Sequence, residues 1–118
     1  MTAGIQTILI PVKDLAGAKA LWTAVLGEQP IADSAYYVGF KVAGQDIGLV
    51  PNGDTTQGMT GPTPFVHVDD IKATLQTALD GGAQIVQDVR DVGGGRLVVS
   101  VKDADGNIFG LLQDPKQA

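Results

Sequence analysis

Residues 63–71 read Thr-Pro-Phe-Val-His-Val-Asp-Asp-Ile, and residues 7–15 read Thr-Ile-Leu-Ile-Pro-Val-Lys-Asp-Leu. At this offset of 56 positions Thr63, Val68 and Asp70 repeat Thr7, Val12 and Asp14. Leu9/Phe65, Ile10/Val66 and Leu15/Ile71 exchange one apolar side chain for another. A second correspondence, at an offset of 62, sets Gly44-Gln-Asp-Ile-Gly-Leu-Val50 against Gly106-Asn-Ile-Phe-Gly-Leu-Leu112. Either match alone is within reach of chance for short strands. Two in the same order identify an internal duplication, which decides the fold before any single residue does. The longer second half places its extra residues in turns, around Gly81-Gly82 and Gly93-Gly94-Gly95.

Each half opens with a strand, 5–12 and 63–68. Asp14 and Asp70 then stand as helix N-caps, because a carboxylate there accepts free amide hydrogens of the first turn. The spacing predicts a first helix to about Leu26, with Leu15, Ala18, Leu21, Trp22, Val25 and Leu26 on its apolar side. A second helix runs to about Asp80 with Ile71, Leu75, Ala78 and Leu79 on one face, and Gly27 and Gly81 stop the two helices. Three further strands complete each half, near 28–32, 35–42 and 45–50, then near 84–89, 95–103 and 107–113. The expectation is one α+β domain, residues 1–118, of two tandem βαβββ units, about 4–50 and 63–114. The Gly- and Thr-rich stretch 51–62 is the loop that joins them.

Composition narrows the function. The chain has 118 residues, 44% hydrophobic and 18% charged, and a net charge of −5. That balance repels nucleic acid unless basic residues cluster, and the eight Lys and Arg are scattered. The absence of a long apolar run or a signal-peptide pattern makes a non-membrane, cytoplasmic protein the expectation. With no cysteine, disulfides, thiolate metal sites and a cysteine nucleophile are excluded.

Alternation along each strand separates two faces. Ile8, Ile10 and Val12, with Val66 and Val68, belong under the helices, as do Ile47, Leu49, Phe109 and Leu111. Tyr36, Val38 and Phe40, with Leu97, Val99 and Val101, complete that core. The opposite face carries Thr7, Leu9, Tyr37, Gly39 and Gly48 in the first half. In the second it carries Thr63, Phe65, His67, Val98, Ser100, Ile108, Gly110 and Leu112. It is too apolar for a fully wet surface, and paired glycines remove bulk at its centre. A small-ligand pocket and a surface covered by a second subunit both fit these properties.

The opening Ile-Pro-Val-Lys-Asp-Leu-Ala-Gly-Ala-Lys-Ala-Leu-Trp-Thr-Ala-Val-Leu-Gly resembles the first strand and helix of vicinal-oxygen-chelate proteins (the glyoxalase/bleomycin-resistance/dioxygenase group). Phe65-Val-His-Val-Asp-Asp-Ile71 resembles the start of their second unit, and Asp103-Ala-Asp-Gly-Asn-Ile-Phe-Gly-Leu111 their closing turn and strand. The resemblance implies a curved mixed sheet forming a cup, commonly in a homodimer. In metal-dependent members, His, Gln or Glu side chains on the first and last strands of the units hold a divalent ion. Projected here, those positions are Thr7, Gly48, Thr63 and Gly110. Glycine has no side-chain donor and a neutral threonine hydroxyl is a poor one, so neither metal nor cofactor is expected. His67 alone cannot complete a site, and only Asp46, if register permits, could join it.

The resemblance then points to a metal-independent protein that binds a small aromatic or drug-like molecule. The ligand-binding residues would be Thr7, Leu9, Tyr37, Gly48, Thr63, Phe65, His67, Val98, Ser100 and Gly110. No catalytic residue is assigned, His67 being the one candidate for a general base. The alternatives are a glyoxalase-, lyase- or dioxygenase-like enzyme with an atypical site, and an interaction module whose apolar face is a subunit interface. Trp22 reads as packing, Arg96 as a turn arginine within reach of a ligand anion, and Lys41 and Lys102 as surface charges. Gly93-Gly94-Gly95 is a hairpin and not a phosphate loop, since no Lys-Ser/Thr and no helix follow it.

Overall fold

A computed structural model describes residues 2–51 and 61–115, with the side chains of Thr2 and Ala3 left aside. Most of the expected joining loop, 52–60, lies outside the described residues. The elements run β1 (Thr2–Pro11), α1 (Leu15–Leu26), β2 (Ala32–Asp33), β3 (Val38–Val42), β4 (Gln45–Val50) and β5 (Thr63–Val68). They continue with α2 (Ile71–Asp80), β6 (Gln84–Asp91), β7 (Leu97–Lys102) and β8 (Ile108–Gln113). The fold class is α+β with two βαβββ units, and the backbone separates into Gln6–Thr63, and Pro64–Ala118 with Met1–Ile5.

Within each unit the strand order is the same: β2-β3-β4-β1 in the first and β6-β7-β8-β5 in the second. The unit's first strand joins its last in parallel, and the other pairings are antiparallel. The duplication extends to register. Leu9 lies opposite Gly48, and Phe65 lies opposite Gly110; both residues of one pair are the repeat partners of the other.

The helices begin where their caps require. Asp14 Oδ1 accepts from the amide of Gly17, and Asp70 Oδ1 from that of Ala73, each at 3.1 Å. Gly27 closes α1 in the left-handed conformation. On α1 the inward stripe is Leu15, Ala18, Trp22 and Leu26, packed on Val38, Phe40 and Leu49. Leu21 and Val25, expected on that stripe, are exposed. At about 100° per residue they fall roughly a quarter-turn away from it. Helix α2 packs tightly, with Ile71 and Leu75 buried against Val68, Val99, Val101 and Leu111.

Tyr36 departs from the expected core position and is 82% exposed. The amide of Ser34 donates to the Tyr37 carbonyl at 3.0 Å, as does the Ser34 hydroxyl at 3.2 Å, and the Ser34 Oγ accepts from the Tyr36 amide. This turn holds residues 34–37 out of the ladder, so alternation begins at Val38 and not at Ala35. The expected strand 28–32 is likewise reduced to Ala32–Asp33.

The closing turn is held by one carboxylate. Asp103 Oδ1 accepts from the amides of Asp105 and Asn107, both at 2.9 Å, and Oδ2 from the Asn107 side chain at 3.1 Å. The bonds from Asn107 hold the Asp103 carboxyl below its ordinary pKa. A depressed folded-state pKa contributes stability above the unfolded value, and that stability is lost as pH falls through the folded value. Asp103→Ala should therefore melt below the parent at pH 6, and the gap should close as the pH drops below about 4. Paired thermal melts from pH 6 to well below pH 4 measure it; a pH-independent gap would remove ionisation from the account.

Candidate functional site

In each unit the strand face opposite the helix carries the candidate residues, and in the second unit they form two rows. Phe65, Gly110 and Ser100 lie side by side across β5, β8 and β7. One step along, His67, Leu112 and Val98 do the same. Period-two alternation puts Thr63 on this face of β5 as well. Thr63, Phe65, His67, Val98, Gly110 and Leu112 are all buried, and Ser100 is half-buried. Five of the expected binding residues (Phe65, His67, Val98, Ser100 and Gly110) are thus brought into one patch by register alone.

The first unit holds the corresponding row Leu9, Gly48 and Gly39, with Thr7, Asp46 and Lys41 one step toward the other end. Tyr37, two residues before Gly39, folds its ring back over both glycines. A side chain at Gly48 would meet the Tyr37 hydroxyl at 2.5 Å and Leu9 Cδ2 at 2.7 Å. A side chain at Gly39 would meet Tyr37 Cε2 at 2.8 Å. In the second unit the counterpart of Leu9 is itself aromatic: a Cβ at Gly110 would lie 2.2 Å from Phe65 Cε2. The expectation that the paired glycines clear open space therefore needs revision. Each glycine is the floor under an aromatic ring, and the ring takes the volume a side chain would fill.

This arrangement tests the divalent ion that the fold family implies. The four family positions here are Thr7, Gly48, Thr63 and Gly110. Gly48 and Gly110 offer no side-chain donor, and any donor placed there collides with Tyr37 or Phe65. Thr63 Oγ1 donates to the carbonyl of Gly61 at 3.1 Å. Among the described residues no three His, Cys, Asp or Glu side chains group as a metal site. Asp46 pairs instead with Lys41, 3.8 Å away. The residues present do not fit the ion.

The polar centre of the second unit was only half visible in the sequence. His67 Nδ1 stands 3.6 Å from Asp114 Oδ2. Asp114 Oδ1 accepts from Arg96 Nε at 2.8 Å and lies 2.8 Å from Arg96 Nη2. Register explains the meeting. Leu97 lies opposite Gln113, so the preceding Arg96 comes to Asp114, and alternation carries Asp114 onto the face of Gly110 and Leu112. The hairpin that delivers Arg96 needs its glycines, for Gly93, Gly94 and Gly95 all have positive φ. Arg96 is therefore an anchor for a carboxylate of its own chain. Asp114 is not among the residues expected at the site, although its spacing of two and four residues beyond Leu112 and Gly110 marks its face.

Among solved structures, methylmalonyl-CoA epimerase from Mycobacterium tuberculosis is similar, with TM-score 0.76 and 17% identity over 98% of this chain and 90% of that one. A Mn(II)-bound glyoxalase from Novosphingobium aromaticivorans gives TM-score 0.72 and 18% identity, over 99% of this chain and 42% of that one. A glyoxalase/bleomycin resistance protein/dioxygenase superfamily member from Vibrio splendidus 12B01 gives 0.71 and 17%, over 97% and 100%. At such identities the likeness shows the fold alone. No curated protein matches the chain. The family model of the Glyoxalase/Bleomycin resistance protein/Dioxygenase superfamily matches residues 4–111, nearly the whole chain with both units and the closing turn, and the protein belongs to that superfamily.

Proposed function

We propose that this protein binds a small aromatic or drug-like molecule without a metal ion. The observation that carries this reading is the packing of Tyr37 over Gly48 and of Phe65 over Gly110, at two of the positions where metal-dependent relatives need donors. A site without the ion has no Lewis acid to polarise a substrate oxygen, so recognition falls to shape, stacking and hydrogen bonds. On β5, β7 and β8 Phe65 supplies a ring face, Val98 and Leu112 apolar contact, and Thr63, His67 and Ser100 polar groups; on the strands of the first unit Tyr37 supplies a ring face, Leu9 apolar contact and Thr7 a polar group. In this reading the protein is cytoplasmic and acts as a homodimer. The exposed Leu21, Val25, Ile31 and Tyr36 of the first unit support a covered surface there. No helix among the described residues is long and apolar enough to cross a membrane.

Incubation with nickel, cobalt, iron, zinc or manganese followed by desalting should leave no stoichiometric metal by elemental analysis. A fluorescence or calorimetric screen of aromatic compounds should then yield a ligand whose affinity falls about tenfold or more in Phe65→Ala, the scale of losing a buried ring contact. One ion per chain would reverse the reading. Acid–base catalysis is the second reading, favoured by the carboxylate held against His67. A His67→Ala variant that keeps affinity and loses turnover would bring it forward.

A further inference from the structure

We propose that Tyr37 is a movable gate over an aromatic-binding slot in the first unit, and that a phenol-headed ligand enters by displacing the Tyr37 ring and taking its seat. The inference rests on the binding reading above for the existence of an aromatic ligand, and goes beyond it in saying where a ring is seated and what must move. The slot is built from residues of the first unit alone. Its floor is Gly39 and Gly48, opposite each other on β3 and β4, with Leu9 beside Gly48 on β1. Neither glycine has a positive φ, so the backbone accepts any residue at both places. What glycine supplies there is room for a close approach, at a cost in strand stability.

The ring that uses this room shows what the slot accepts. A Cβ at Gly48 would lie 2.5 Å from the Tyr37 hydroxyl oxygen and 2.7 Å from Cε1. A Cβ at Gly39 would lie 2.8 Å from Cε2 and 3.3 Å from the same oxygen. The hydroxyl end of the ring thus straddles both glycines, and Leu9 Cδ2 meets the same point over Gly48 at 2.7 Å. The seated part is a phenol head, flat and uncharged, with its para substituent (in Tyr37 its own Cβ) leading out of the slot. A neutral para-alkyl phenol reproduces each of these features.

Of the two rings that cover glycines, this one is hung so that it can leave. Phe65 springs from within β5 and is 7% exposed. Tyr37 is half-buried and stands just before Val38, the first residue of β3. Its carbonyl accepts from the amide and the hydroxyl of Ser34, which holds the backbone while the side chain turns between rotamers. Tyr37 has a further interaction besides these, so the covered arrangement is the resting one and a ligand must outcompete it. The apparent affinity is then the intrinsic affinity reduced by the fraction of molecules that are open.

The probe is p-cresol, the tyrosine side chain as a free molecule. Tyr37→Ala empties the slot, and by calorimetry p-cresol should bind this variant at least about tenfold tighter than the parent, as for a gate open in about a tenth of molecules or fewer. Adding Gly48→Val to Tyr37→Ala should fill the slot and abolish the gain. The parent supplies a second readout that needs no variant. It has two tyrosines, and Tyr36, 82% exposed, is the internal reference for a ring in water. As p-cresol is raised, the Tyr37 ring signals in NMR spectra should move toward those of Tyr36. A Tyr37→Ala variant that binds p-cresol no tighter than the parent, binding kept in the double variant, or Tyr37 signals that stay in place each overturns the proposal. One metal ion per chain with Tyr37 displaced would end the metal-free reading and leave the gate standing. An aromatic ligand bound with Tyr37 still in place would do the reverse.

Discussion

Gly110→Val is expected to destabilise the protein by about 3 kcal/mol, the upper part of the range for overpacking a tight interior. No left-handed backbone is involved, for Gly110 sits mid-strand with ordinary extended geometry. The cost is steric. The first added atom would lie 2.2 Å from Cε2 and 2.3 Å from Cδ2 of Phe65, and that ring is only 7% exposed. The ring must leave its place or the strands must part. In a chain this size the midpoint of thermal unfolding should drop by about 10 °C. Phe65→Ala alone opens a void and costs about 3 kcal/mol. The double variant should be less damaged than the two losses added, with a coupling of about 1–2 kcal/mol, because each change supplies what the other lacks. The same substitution at Gly48 should cost less. There the nearest contact is the far end of Tyr37, a half-buried side chain that can swing away. Equal melting of parent and Gly110→Val would mean that Phe65 does not lie over the glycine.

Ile71→Ala should cost about 2–4 kcal/mol, while Leu15→Ala, its partner in the repeat, should cost about 1 kcal/mol. Both residues open a helix after an aspartate cap. Ile71 is 1% exposed and enters the core with Val68, Val99, Val101 and Leu111. Its amide donates to Gln113 Oε1 at 2.8 Å, tying the start of α2 to β8. That bond is made by the backbone and survives the substitution, so the loss measures packing alone. Leu15 is only half-buried, and no side chain of α1 is fully buried. Part of its area is in water before truncation, and less is lost. Chemical denaturation of both variants gives the comparison, and equal losses would show that the two helices are seated alike.

Much of the candidate site was legible because a strand alternates with period two whatever surrounds it. Placing Thr63, Phe65 and His67 together, apart from Val66, needed only the run of β5. Gly48 and Gly110 followed from the repeat, and the structure bears out the pairing down to register. The fate of the space above them was not legible. Which ring covers a glycine depends on a rotamer and a neighbouring strand: Tyr37 reaches Gly48 from β3's approach, whereas Phe65 covers Gly110 from the strand beside it. Tyr36 shows the same limit. Its alternation was continuous with Val38 and Phe40, yet hydrogen bonds of the Ser34 turn outcompete three residues of ladder.

Local chemistry in the sequence determined the duplication, both helices with their aspartate caps, and the division of each strand into two faces. These depend on interactions within a few residues, which composition and spacing express directly. Tertiary structure decided that α2 is buried more deeply than α1, that Arg96 grips Asp114, and that Asp114 stands against His67. Those contacts join residues 18 and 47 positions apart. Their distance in space is set by strand register, a property of two segments together that neither segment carries alone.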